Sequence, residues 1–249
     1  MKKLLVGLFV MFVCGAHGQT ETINWYVDND SYAQTTCETG GDVVLPTAPT
    51  KYGYTFQGWY PAYTFIEYIE TTGTQYINTG LRTNNGDITA TAVFAPTSFV
   101  LPDDVGAYFA IFGYDGQFQA AYTPTGHASV GNIETNNVFF IKNVKNTVTG
   151  VLSANTAGGL YVDGAFTGLS RTFIRRTNLL LLAAAHPLRY PAIGKLYSFV
   201  AVQNGLEIMH LVPALRNVDG ITGMFDTVTG TFFTNYGTGE FIAGPVIQQ

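Results

Sequence analysis

The chain of 249 residues carries 12 Lys and Arg against 17 Asp and Glu, a formal charge of −5. Only 12 % of its residues are charged, about half the usual ~25 %, while aromatics reach 14 % and Gly counts 28. Apart from Lys2-Lys3 and Arg175-Arg176 the basic residues are scattered, which argues against nucleic acid and anionic membrane surfaces as partners. The balance is that of a β protein rich in tight turns, and the length accommodates one sizeable β domain with a small extra module.

Residues 1–18 read as a signal peptide. Lys2 and Lys3 form a positive start, Leu4 to Val13 is an apolar run of ten residues, and Ala16-His17-Gly18 places small residues around a cleavage point. The run is too short for a membrane helix, which needs roughly 20 apolar residues. Secretion without later membrane insertion is the expectation. Cleavage removes two lysines and no acid, so the formal charge moves from −5 to −7. It also removes Cys14 and leaves Cys37 alone, with no disulfide, Cys metal cluster or Cys-X-X-Cys pair open to it.

Thr22 to Val27 reads as a strand, and Gly40-Gly41 punctuates the chain after it. "VVLPTAPTKYGYTFQGWY" follows. Its residues Pro46, Pro49, Thr50, Lys51, Gly53, Tyr54, Phe56, Gly58, Trp59 and Tyr60 resemble the Listeria-Bacteroides repeat, the β-grasp-like module of internalin-type surface proteins. The resemblance implies a small β module at residues 19–62. Such repeats continue into a further strand that closes with a Trp, whereas "PAYTFIEYIETTGTQYINTG" begins a different pattern. A truncated copy leaves apolar surface in need of a partner. Tyr54, Phe56 and Trp59 are expected to fill a small core rather than to face a ligand, by strand alternation.

From residue 63 to 249 a second domain is expected. "FIEYIETTGTQYINTGL" gives strand, turn and strand, and "DITATAVF" alternates Ile88, Ala90, Ala92 and Phe94 against Thr89, Thr91 and Val93. Further strands are placed at Tyr108–Phe112, Gln117–Tyr122, Asn137–Lys142, Asn146–Leu152, Gly159–Val162, Leu179–Ala184, Gly194–Val202 and Gly230–Thr234. Asp163-Gly164 and Asn204-Gly205 supply the positive φ angles of type I′ hairpins. Short strands at this spacing indicate an antiparallel sandwich. "LLLLAAA" reads as a strand buried on both faces. The order of a Tyr-Val-Asp-Gly hairpin, an apolar strand and "GKLYSFVAVQNG" resembles the laminin-G-like branch of the concanavalin A-like jelly rolls, over about residues 65–245. The opening "EYIETTGTQYINTG" and closing "GMFDTVTGTFFTNYGTGEFIAGP" are similar to the ends of such domains in surface and phage-associated proteins of gut bacteria. The fold class is all-β, an antiparallel concanavalin A-like β-sandwich preceded by a small β module.

That resemblance makes a glycosidase the enzyme to test for, with two carboxylates about 5–9.5 Å apart. The Glu-x-Asp-x-x-Glu spacing of the family's glucanase members is absent. Glu67 and Glu70 are three apart and so on opposite faces of a strand, Glu207 stands alone, and His127, His186 and His210 are isolated from any motif partner. No catalytic residue is assigned, and the expectation is a protein that is not an enzyme.

A sugar site wants aromatic faces beside Asp, Asn or Gln. "FGYDGQFQAAY" offers Tyr114, Asp115, Gln117 and Tyr122, against the alternative of a turn at Asp115-Gly116 with the rings packed on the sheet. Asp103 and Asp104 could lend carboxylates to a Ca²⁺ ion, which related domains hold at a loop rim, although the ion takes 6–8 oxygens; no other cofactor is expected. The functional expectation is a secreted or cell-surface, alternatively periplasmic, adhesin-like protein that binds a glycan or a surface protein without catalysis. The alternatives are a structural module of a bacterial envelope or phage-like particle and, third, glycan hydrolysis.

Overall fold

The computed structural model describes residues 3–11, 20–27, 30–38, 43–82, 87–100, 108–114, 118–130, 133–152, 158–171, 178–183 and 190–247. Among these there is no helix, and none long and apolar enough to cross a membrane. The chain divides into two units, Met1–Thr64 with Arg216–Gly220, and Phe65–Leu215 with Ile221–Gln249.

The first unit is one sheet of four strands, β1 (Lys3–Met11), β2 (Thr20–Val27), β3 (Asp30–Glu38) and β4 (Tyr54–Pro61), in the order β3-β2-β1-β4. Lys3–Met11, the apolar heart of the expected leader, is here a strand inside the sheet. Its Leu, Val and Phe residues favour a pleated, half-buried environment. It runs antiparallel to β2, from Gly7 opposite Val27 to Met11 opposite Ile23, and parallel to β4, from Lys3 opposite Tyr54 to Phe9 opposite Pro61. This parallel pair departs from an all-antiparallel reading. Along β2, Ile23 and Trp25 are fully buried between half-buried neighbours, the signature of a one-sided strand. The Trp25 indole N–H donates to Thr35 Oγ1 on β3 at 2.7 Å, so the buried ring keeps its polar atom satisfied.

The second unit begins within β5 (Tyr63–Phe65) and continues through β6 (Ile69–Thr71), β7 (Ile77–Asn78), β8 (Ile88–Pro96), β9 (Phe109–Gly113), β10 (Gln119–Tyr122), β11 (His127–Val130), β12 (Ile133–Phe139), β13 (Asn146–Leu152) and β14 (Gly158–Val162). It closes with β15 (Ala165–Arg171), β16 (Leu180–Leu181), β17 (Gly194–Gln203), β18 (Leu206–Arg216), β19 (Ile221–Asp226), β20 (Phe232–Phe233) and β21 (Ile242–Ala243). One sheet has the order β12-β11-β10-β9-β16-β7; the larger runs β15-β14-β13-β8-β17-β18-β19-β20, with β6 bridging β17 and β21. The pairs β9–β10, β10–β11, β8–β13 and β8–β17 are antiparallel, and the inner faces of the two sheets share one core.

The sequence pattern explains the middle of this unit. Ile88, Ala90, Ala92 and Phe94 of β8 are buried while Thr89, Thr91 and Val93 are half-buried. Phe112 of one sheet meets Phe199 of the other edge-to-face at 5.9 Å. Gly150 on β13 makes room for that layer, since a Cβ there would stand 2.8 Å from Phe118 Cε1 and 3.0 Å from Phe112 Cε2. Both hairpins take positive φ at both central residues, 51° and 80° at Asp163-Gly164 and 52° and 77° at Asn204-Gly205, as type I′ turns require.

Several elements differ from expectation, among them β11, which was not expected, and β20, narrower than Gly230–Thr234. The strand predicted at Asn137–Lys142 is β12, four residues earlier in its start, with every residue but Thr135 exposed or half-buried. Leu179–Ala184 narrows to β16 because Leu182 turns to a φ of 65°, which ends the ladder even though Leu179, Leu181, Leu182 and Ala183 are wholly buried. β19 had no strand signal, since its apolar residues run consecutively at Met224-Phe225 rather than alternating.

Tyr122 closes the core. Its ring stacks on Phe109 at 4.6 Å, and its hydroxyl donates to the Ile193 carbonyl at 3.0 Å while accepting the Ile193 N–H at 3.2 Å. Burial pushes the phenol well above the ordinary tyrosine range. The neutral form is the one the fold favours, so its stabilising contribution is complete below pH ~10 and is lost as pH rises beyond that. Tyr122→Phe is expected to lower stability by about 1–2 kcal/mol at neutral pH and to flatten the alkaline loss of stability, both read from denaturant unfolding between pH 7 and 11.

Candidate functional site

The described residues offer one surface in the first unit where rings, a cation and a hollow coincide. Tyr54 N–H donates to the Lys51 carbonyl at 3.0 Å, and Gly53 has a φ of 78°, so Lys51–Tyr54 is a type II turn. Tyr52 at its second position is lifted clear of the protein, at 102 % relative exposure. Lys51 Nζ sits 4.6 Å above the Tyr54 ring. Pro49 is buried at the base of this corner, and the Tyr32 hydroxyl ties the preceding loop to β3 by donating to the Thr47 carbonyl at 3.1 Å. Ala48, Pro49, Lys51, Tyr52, Tyr54 and Phe56 line an open cleft of about 480 Å³.

Behind the cleft lies an aromatic cluster. Trp59 meets Trp25 at 4.9 Å, Phe56 at 5.2 Å and Tyr32 at 5.6 Å. Simple alternation puts Phe56 and Trp59, three residues apart, on opposite faces. The register solves this, because Leu5 opposes Phe56 while Gly7 opposes Trp59, so β4 carries an extra residue there. Gly58, at a φ of 129°, sits in this bulge. Phe56 therefore belongs both to the cluster and to the cleft wall, while the corner at Tyr52 is fully presented to solvent.

The sugar site expected at residues 114–122 is corrected in part. Tyr114 is 2 % exposed and Tyr122 fully buried in the sandwich core, because β9 and β10 face the larger sheet on their inner side. Neither ring has a face to offer a ligand. Gln119, which the sequence did not single out, seals this hairpin by donating to the Tyr114 carbonyl and accepting from the Tyr108 hydroxyl. Asp115, Gln117, Asp103 and Asp104 lie outside the described residues, as does His186. Among the described residues no group of three or more His, Cys, Asp or Glu could hold a metal.

Some ionisable groups form local pairs. His127 Nδ1 stands 3.5 Å from Glu134 and His210 Nδ1 3.1 Å from Glu207. Asp226 is fully buried, yet its carboxylate accepts the N–H groups of His210 and Val228 and the Thr229 hydroxyl, which makes it the knot of the β19–β20 turn. On the second unit, Lys195 Nζ lies 4.3 Å over the Tyr68 ring and Lys145 Nζ 3.9 Å over Tyr197, with the two rings 5.4 Å apart. A hydrogen bond to Tyr68 holds the Lys195 ammonium above its usual range. Lys195 and Tyr197 lie two apart on β17, but their partners Tyr68 and Lys145 come from distant segments, so no sequence spacing marks the group.

Residues 22–93 match the family model of the Listeria-Bacteroides repeat domain. The match supports the repeat reading and runs beyond β4 into β8. This part of the chain is thus similar to a domain of bacterial surface proteins. No curated protein and no solved structure matches the chain.

Burial separates the roles of the rings. Trp25→Ala is expected to destabilise the first unit by about 3–5 kcal/mol, whereas Tyr52→Ala should leave stability within about 0.5 kcal/mol. Thermal and denaturant unfolding of the full chain checks both.

Proposed function

We propose that the protein is a secreted or cell-surface bacterial protein that binds without catalysis, as an adhesin, and that a glycan or a surface protein is its partner. The second unit is in this reading a laminin-G-like, concanavalin A-like sandwich that serves as the scaffold. The observation that carries the proposal is Tyr52, an aromatic side chain held entirely in solvent at the mouth of a cleft. A fully exposed tyrosine contributes nothing to the fold by burial, while amphipathic rings on rigid turns are the usual anchors of recognition surfaces. Lys51, Tyr54 and Pro49 beside it present an apolar wall with one cation, suited to the apolar face of a pyranose or to an extended peptide.

Several features favour binding over turnover. The cleft's lining residues include no Asp, Glu or His, and the carboxylate of the buried Asp226 is engaged by the N–H groups of His210 and Val228 and by the Thr229 hydroxyl. The similarity to a domain of bacterial surface proteins supports the cellular address.

A glycan array probed with the purified protein and with its Tyr52→Ala variant, each with and without Ca²⁺, tests the reading. Saturable binding that falls at least about tenfold in the variant is the expected result for an aromatic anchor, whose truncation costs 2 kcal/mol or more. Glycan binding equal in both proteins would remove the cleft from consideration. An array without signal would leave the surface-protein partner as the reading to pursue.

A further inference from the structure

In the first unit, β1 is the only strand hydrogen-bonded to β4 among the described residues, and it separates β4 from β2. It is also the segment that reads as the apolar part of a leader. Removing Lys3–Met11 would leave β2 and β3 as a lone hairpin, marginal in water by itself, and would leave β4 without a neighbouring strand. Between them would open a slot bordered by two strand edges, which are ready templates for another chain.

We infer that this slot is a strand-acceptor site: β1 fills it in the precursor, and an extended apolar segment of a partner protein fills it once the leader has gone. The inference rests on the secretion reading above. The strand seated there defines the occupant's chemistry. It pairs at Gly7–Met11 with β2 and at six positions with β4, so an entering strand is bonded along both edges, antiparallel to one neighbour and parallel to the other. It carries no charge after Lys3 and no proline, and it lies beside β2 where Ile23 and Trp25 are fully buried. A proline-bearing strand would leave a ladder donor missing. A different protein is favoured over a second copy because the long central strands of the sandwich, and β21 near the end of the chain, are already paired inside their own unit.

The chain's two tryptophans, Trp25 and Trp59, both lie in the first unit, so tryptophan emission, excited selectively over tyrosine, reports on it alone. Three proteins are compared: the full chain, its Gly7→Pro variant and the form secreted by a bacterial host. A peptide of residues 3–11 with flanking lysines for solubility is titrated into each, with a Gly7→Pro peptide as control. Emission red-shifted in the variant and in the secreted form, returning to the full-chain wavelength with saturable 1:1 binding of the first peptide only, is expected. A secreted form that is monomeric, emits like the full chain and ignores the peptide would overturn the acceptor site. A secreted form that emits like the full chain as a dimer would overturn the assignment to a different protein. Mass spectrometry of the secreted form tests the premise separately: retention of residues 1–18 overturns the vacancy in the exported protein, while the titration of the variant still reads the slot.

Discussion

The pairing of β8 with β17 is the constraint on which the larger unit depends. Nine residues of β8, from Ile88 opposite Gln203 to Pro96 opposite Gly194, lie against β17, and the other edge of β8 binds β13 over seven. With strands on both sides, β8 cannot slip by one residue without turning Ile88, Ala90, Ala92 and Phe94 away from the core. Gly194 guards one end of this pair. A Cβ there would fall 2.4 Å from the Ala95 carbonyl oxygen and 2.5 Å from Phe94 Cζ, so the closeness of the strands is set by the lack of a side chain.

From that register the aromatic layer follows, and with it the fate of the residues that a sequence reading offers as a binding site. The pattern of "DITATAVF", the two Asx-Gly hairpins and the seven residues of β13 were legible because alternation and turn chemistry are local. The burial of Tyr114 and Tyr122 was not. A tyrosine beside Asp and Gln looks the same in sequence whether its strand faces solvent or a second sheet, and only the packing of β9 and β10 onto the other layer decides. The hydroxyl of Tyr122 finds its partners at Ile193, 71 residues away, which no window along the chain contains. The Lys195–Tyr68 and Lys145–Tyr197 stacks escape notice for the same reason.

The quoted aromatics of the smaller unit show where local rules end. Alternation predicts that Tyr54 and Phe56 share a face; it does not predict that Trp59 joins them. That needs the bulge at Gly58, whose φ of 129° lets the strand reset its phase and bring Trp59 within 5.2 Å of Phe56. Tyr52 is separated from the cluster by another glycine, Gly53, and the type II turn throws it outward. Two glycines thus sort neighbouring rings into a core and an exposed corner within eight residues.

The two units differ in how far they satisfy themselves. The sandwich has two sheets whose apolar faces cover each other, so its core is complete without help. The small unit has one sheet, and a small domain buries a lesser share of its surface. Its tryptophans touch each other, but the strands that carry them share backbone hydrogen bonds only through β1 among the described residues, which ties the sheet to a segment whose sequence also reads as an export signal. A module in that position is stable when the third strand is present and a template when it is not. Its backbone hydrogen bonds therefore hold the sheet together through one strand, whereas the Tyr52 side chain, fully exposed, is free to change without cost to the fold.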